Sequence, residues 1–203
     1  MTSIFEPQGL RADLAATSPF EWFATALGIV YILLIMRRNR WGWVAGGASS
    51  LILTVLAARA RLPMQALLQF SYVLAALYGW WRWRGANPQL SIGLWPWPRH
   101  LLAVGACVVA ALALAPWLRA TGNSDWPFLD PLIAFLGLFA SWLTARVRLE
   151  NWIYWMFIDT VSLYLFTAQG HPVIALLFLV YFGISCAGLR SWWRLYRAQP
   201  NPA

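Results

Sequence analysis

Residues 63–79, PMQALLQFSYVLAALYG, and residues 172–188, PVIALLFLVYFGISCAG, are two versions of one apolar helix. At an offset of 109 residues, Pro63, Ala66, Leu67, Leu68, Tyr72 and Gly79 fall on Pro172, Ala175, Leu176, Leu177, Tyr181 and Gly188. The register continues backwards without a gap. Trp43 falls on Trp152, Leu56 on Leu165, Leu34 and Arg37 on Leu143 and Arg146, and Leu27 and Gly28 on Leu136 and Gly137. Leucine matches come cheaply in an apolar chain, but proline, tyrosine, glycine and tryptophan in a single register mark an internal repeat.

Composition says what kind of repeat this is. Of 203 residues, 61% are hydrophobic and 11% charged, against roughly 25% charged in a soluble domain. The chain reads as an all-α polytopic membrane protein. Seven apolar segments can be drawn, at Phe20–Met36, Trp43–Ala58, Pro63–Trp81, Leu101–Leu118, Pro127–Ala145, Trp152–Thr167 and Pro172–Leu189. At about 20 residues per crossing they use most of the chain and leave no room for a sizeable soluble catalytic domain. Four helices separate equivalent positions, an even number, so two three-helix units run in the same direction around one linker helix, a parallel 3+1+3 repeat. The expected divisions are a segment 1–19 outside the cytoplasm, a first repeat 20–84, a linker 85–126 with the fourth helix, a second repeat 127–193 and a cytoplasmic tail 194–203. The opening MTSIFEPQGLRADLAATSP has no apolar core before Pro19, so the first helix is read as retained rather than as a cleaved signal.

All fifteen basic residues are arginine. They punctuate the apolar runs instead of forming a patch, which speaks against nucleic acid as a partner. With seven spans, one side collects Arg37, Arg38, Arg40, Arg82, Arg84, Arg99, Arg146, Arg148, Arg190, Arg194 and Arg197, and the other Arg11, Arg59, Arg61 and Arg119. Basic loops stay in the cytoplasm, so the amino terminus is expected outside and the carboxyl terminus inside. Tryptophans near segment ends, Trp22, Trp95, Trp97, Trp117 and Trp126, suit headgroup-level anchors. Cys107 and Cys186 lie in apolar runs as small hydrophobes, and His100 and His171 stand apart, so no metal centre, cofactor or catalytic set is expected.

Asp159 lies deep in WIYWMFIDTVSLYLF, where an ionisable group is a functional candidate by default. Bonding to a hydroxyl such as Thr160 or Ser162, or to a tyrosine, to hold helices together is the competing explanation. Gln69 and Tyr72 approach the same level from the other side of the membrane, offering an amide and a flat ring with a hydroxyl. Tyr181 is the repeat mate of Tyr72, and symmetric packing explains that pair as well as binding does. Asn151, Trp152 and Trp155 open the sixth helix; the two tryptophans share a face and can stack on a flat or cationic ring, with anchoring the simpler role for Trp152. Glu21 and Asp130, also repeat mates, suit the positive ends of their helices.

The segments LENWIYWMFIDTVSLYLF, GLRSWWR and LLQFSYVLAALYGWWRW resemble the bacterial nicotinamide riboside transporter family, PnuC, whose fold is similar to that of the SWEET sugar transporters. The resemblance runs from Glu21 to Trp193, and its most specific residues are Asn151, Trp152, Trp155, Asp159, Gln69, Tyr72, Gly79 and Trp83. It implies facilitated uptake of a vitamin-like nutrient, chiefly nicotinamide riboside, with Trp152, Trp155, Asn151 and Gln69 holding the ligand. Val44 follows the second-helix tryptophan where the family often has proline, and Ser141 precedes Trp142 where it often has glutamine.

The expected function is therefore uniport of nicotinamide riboside, or a close relative, across a bacterial inner membrane. Asp159 would balance the cationic ring, and a cytoplasmic kinase would trap the product. A thiamine carrier of the same fold is the nearest alternative. A substrate-capturing subunit driven by an ATPase is disfavoured by the duplication, and an enzyme by the lack of a nucleophile–base pair or metal set. Membrane lipid is the obligatory surrounding, and a homo-oligomer is left open.

Overall fold

In a bilayer, every backbone N–H and C=O must find its partner within the protein, and an apolar run meets that demand as a helix. The computed structural model describes Leu14 and residues 17–85, 91–122 and 124–199. Seven α-helices run through these residues: α1 (Pro19–Met36), α2 (Trp41–Arg59), α3 (Pro63–Trp83), α4 (Trp97–Thr121), α5 (Leu129–Ala145), α6 (Asn151–Ala168) and α7 (Pro172–Arg197). Most of the expected segment 1–19 lies outside the described residues.

Local signals set the helix starts. At α1, Ser18 and Glu21 form a reciprocal capping box, the Ser18 N–H donating to Glu21 Oε2 at 2.6 Å and the Glu21 N–H to Ser18 Oγ at 3.3 Å. This satisfies two N–H groups that the first turn leaves open. Proline stands in the first turn of α1, α3, α4 and α7, where its missing N–H costs nothing. Several helices outrun their apolar segments. α4 starts at Trp97 rather than Leu101, and α7 continues to Arg197 rather than Leu189. Hydrogen bonding propagates through Arg190 and Arg194 because a long basic side chain on a helix can carry its charge out to the headgroups.

The helix ends carry the repeat into the backbone. Arg38 and its mate Val147 both have φ of 54°, and Arg61 and its mate Gly170 have 58° and 78°. The Asn39 and Arg148 N–H groups donate to Leu34 O and Leu143 O, each at 2.9 Å, and Leu62 and His171 donate to Ala57 O and Phe166 O, again at 2.9 Å. These are the left-handed closures that end helices. Val147 is a β-branched residue in a conformation that ordinarily suits glycine, and its side chain is buried in a core shared by both halves.

The packing obeys the same two-fold relation. α1, α2 and α3 form one bundle and α5, α6 and α7 the other; α3 lies against α5, and α7 lies against α1. The linker helix α4 breaks the symmetry by packing mainly on α5, with His100 also reaching Tyr154 of α6. α5 buries nine residues between Pro131 and Ala145, whereas its mate α1 buries only Ala24 and Ile35. α1, α2, α4 and α7 are each long and apolar enough to span a membrane unaided. α5 is shorter, and α3 and α6 are the helices that carry Gln69 and Asp159.

The linker is tied down at the arginine-rich end. Gly93 pairs with the α5–α6 turn through Gly93 N–H to Val147 O at 3.1 Å and Leu149 N–H to Gly93 O at 3.0 Å, and Arg148 Nη1 donates to Leu94 O at 3.1 Å. His100 does not stand alone. Its Nδ1 lies 2.9 Å from the Tyr154 hydroxyl and its Nε2 3.6 Å from Glu150 Oε1, while the Trp95 N–H donates to the same Glu150 oxygen at 2.6 Å. Partners some fifty residues away escaped a reading based on local spacing. Trp22, Trp97 and Trp117 are exposed, but Trp95 packs edge-on or tilted against His100, Phe139 and Trp142, and Trp126 meets Tyr164.

Candidate substrate site between the two bundles

Asp159 is 3% exposed and accepts a hydrogen bond from Ser185 Oγ of α7 at 3.0 Å. Eight residues beyond Asn151, it sits about 12 Å along α6 from the arginine-rich end, near mid-membrane. Neither suggested local partner is the one used. Thr160 donates instead to Met156 O at 2.8 Å, one turn back in its own helix. Ser185 was missed in the sequence because its mate, Ala76, is apolar and nothing in GISCAG marks it. Tyr181 is an electrostatic neighbour of Asp159, so α6 and α7 bring a carboxylate, a hydroxyl and a phenol together.

The facing wall comes from α3, α1 and α5. Tyr72 presses its hydroxyl against Gly137 of α5, and Tyr181 presses its hydroxyl against Gly28 of α1, where an added Cβ would sit 3.1 Å away. Gly28 and Gly137 are mates, as are the tyrosines. Each glycine thus makes room for a tyrosine from the opposite bundle, and two phenols meet the bundle interface at corresponding depths. Tyr31 of α1 is an electrostatic neighbour of Tyr72 and adds a third. Gln69 lies one turn from Tyr72, half-buried, and its amide bonds no described residue.

Trp155 is half-buried against Ile158, Leu136, Ala140 and their neighbours, and its indole stacks on no other described ring. One aromatic face at the level of the site is thus left without a ring partner. Asn151 and Trp152 are differently placed. Asn151 is fully buried; its Nδ2 donates to Arg148 O at 2.5 Å and its Oδ1 accepts from Thr144 Oγ1 at 3.1 Å, tying the α5 end to the α6 start. Trp152 is 2% exposed, lies flat on Gly188 and meets Trp192 edge-on with centroids 5.5 Å apart. In this conformation both belong to the packing beneath the site.

That packing is itself repeated. Trp43 lies on Gly79 and meets Trp83 edge-on at 5.5 Å, as Trp152 does with Gly188 and Trp192. The Trp83 indole N–H donates to Ala145 O at 2.9 Å and the Trp192 indole N–H to Met36 O at 3.0 Å. Ala145 and Met36 are also mates, so each bundle reaches across to the last turn of the other's first helix. Trp43 and Trp152, by contrast, bury indole N–H groups with no hydrogen-bond partner among the described residues. Together the four tryptophans floor the site towards the arginine-rich end. Among the described residues no group of three His, Cys, Asp or Glu side chains could hold a metal ion.

Comparison with known proteins agrees with this architecture. The profile of a family described as nicotinamide mononucleotide transporter matches residues 18–194. The riboflavin/roseoflavin transporter RibM of Streptomyces davaonensis is 28% identical over 182 residues, covering 87% of this chain and 85% of that protein. The nicotinamide riboside transporter PnuC of Escherichia coli is 24% identical over 200 residues, covering 85% and 84%. A crystal structure of the vitamin B3 transporter PnuC superposes with a TM-score of 0.72 at 19% identity, covering 94% of this chain and 89% of that one.

Proposed function

The chain belongs to the nicotinamide mononucleotide transporter family, and from that premise we propose that it is a facilitator for nicotinamide riboside. It would work in a bacterial inner membrane with the amino terminus outside. The carrying observation is the deeply buried carboxylate of Asp159, held by Ser185 and set beside half-buried aromatic side chains. A pyridinium ring is flat and cationic. It can stack on Trp155 and be balanced by Asp159, while its ribose hydroxyls bond Gln69, Tyr72 and Tyr181.

A phosphorylated ligand fits less well. Every described arginine lies at a helix end or in the last two turns of α7, so nothing near Asp159 would neutralise a phosphate of about −1.5 to −2 charge. The riboside enters and its phosphorylated product does not leave, which makes a cytoplasmic kinase the trap. Nothing in the sequence suggests a nucleotide-binding loop, and one deep carboxylate is a thin proton relay, so the transport is uniport.

Riboflavin is a second reading, favoured by the likeness to the Streptomyces transporter. A flavin is neutral and larger, and it would gain from stacking but not from Asp159. Titrating the purified protein with nicotinamide riboside, thiamine and riboflavin, followed by tryptophan fluorescence, separates them. Nicotinamide riboside is expected to bind tightest; saturable binding of riboflavin alone would replace the proposal with the second reading.

A further inference from the structure

The two seams that close the arginine-rich end are built from mated residues, and they are not equally strong. At the α3–α5 seam, the bond from Trp83 to Ala145 is buried, and beside it Arg146 Nε donates to the Tyr78 hydroxyl at 3.2 Å. At the α7–α1 seam, the mate of Tyr78 is Ala187 and the mate of Arg146 is Arg37. Where the tyrosine would stand there is an open groove of about 420 Å³, lined by Met36, Ala187, Arg190, Ser191, Arg194 and Leu195. The bond from Trp192 to Met36 is only partly buried, and Met36 borders the groove, so water can compete for its carbonyl. α1 and α7 also share a smaller interface than α3 and α5.

Resting on the transporter reading, we propose that the α7–α1 seam is the gate at this end, with Trp192 as its latch, and that the α3–α5 seam is the hinge on which the bundles turn. Opening the first seam breaks the bond from Trp192 to Met36, whose carbonyl water can immediately satisfy, and it separates the smaller of the two interfaces. Opening the second would strip two cross-bundle hydrogen bonds and a filled interface, one of them in a dry environment where a lost partner costs most. The unpartnered indole N–H of Trp152 lies directly beneath the gate and gains access to water when it opens, which lowers the difference between the closed and open states.

Paired spin labels read both seams in the full chain in lipid nanodiscs, after replacing Cys107 and Cys186 by alanine. Val44 and Arg194 report on the gate, and their mates Ile153 and Gly85 on the hinge; all four are exposed. The gate pair is expected to show two distances and the hinge pair one. Trp192→Phe, which keeps the ring and removes the N–H, should shift the gate pair about tenfold towards the longer distance, the population equivalent of one hydrogen bond. Ala187→Tyr puts a tyrosine at the position mated to Tyr78. It should collapse the gate pair to the short distance and slow uptake about tenfold by the same conversion, while ligand binding from the outer side persists. A hinge pair as broad as the gate pair, or a gate pair unmoved by both substitutions, overturns the proposal. If the unsubstituted protein carries no vitamin, the substrate reading fails while the distances still decide the gate.

Discussion

Replacing Gly188 by alanine tests the repeated tryptophan–glycine seat on which the site floor rests. A Cβ at this position would lie 2.5, 2.6 and 2.6 Å from three ring atoms of Trp152. Real Cβ contacts essentially never fall below 3.0 Å, so the ring must move by several tenths of an ångström. It cannot swing into open space, because Trp152 is 2% exposed and meets Trp192, which is fully buried. Overpacking of this kind costs about 1 to 3 kcal/mol. Against it stands the intrinsic gain of alanine over glycine in a helix, about 0.5 to 1 kcal/mol. The net expectation is a loss centred at about 1 kcal/mol and of at most about 2.5 kcal/mol. Gly183, five residues earlier in the same helix, has nothing within 4 Å of its would-be Cβ, so Gly183→Ala should keep the gain alone. Thermal unfolding of the detergent-purified variants, followed by size-exclusion chromatography after heating, ranks them as Gly183→Ala, parent, Gly188→Ala. Trp152→Phe combined with Gly188→Ala should recover part of the loss relative to the sum of the single changes. If Gly188→Ala proved as stable as Gly183→Ala, the contact would be a loose one and the seat would not hold the floor.

Three further outcomes follow from the site and the orientation. Trp155→Ala should weaken nicotinamide riboside binding by about 1 to 3 kcal/mol, the scale of a lost base–aromatic stack, while the protein stays folded; unchanged affinity in a fluorescence or calorimetric titration would return Trp155 to ordinary packing. Asp159→Asn keeps the shape and the bond with Ser185 but removes the charge, so it should weaken binding of cationic nicotinamide riboside while leaving neutral riboflavin unaffected, and equal loss for both would contradict charge balance as its role. A cysteine at Asn39 should resist an impermeant thiol reagent in intact cells and react after lysis; labelling from outside would invert the topology.

Much of the fold was legible because the repeat is written in residues that have geometric duties. Proline starts α3 and α7, glycine receives tryptophan, and left-handed positions close the helices at matching places, so the 109-residue register predicted the two-bundle architecture. Helix ends were less legible, since apolarity stops at the first arginine while backbone hydrogen bonding in α7 does not. The site was legible in part. Burial of Asp159 followed from its place in an apolar run, but its partner Ser185 and the contacts of His100 with Glu150 and Tyr154 join residues distant in sequence. Tryptophan misleads most. The same side chain is 72% exposed at Trp97 and fills the core at Trp192, which is 0% exposed, and only the residues it lands on decide between these places.

The central claim is uncoupled movement of nicotinamide riboside down its own gradient, and uptake of labelled nicotinamide riboside into proteoliposomes without a kinase tests it most directly. Internal ligand should rise until it equals the external concentration, and imposed proton or sodium gradients should leave that endpoint unchanged. Enclosing a kinase and ATP should then drive label accumulation beyond it. Accumulation above the external concentration in the absence of kinase, abolished by an ionophore, would contradict the account and make Asp159 a coupling residue rather than a ligand contact.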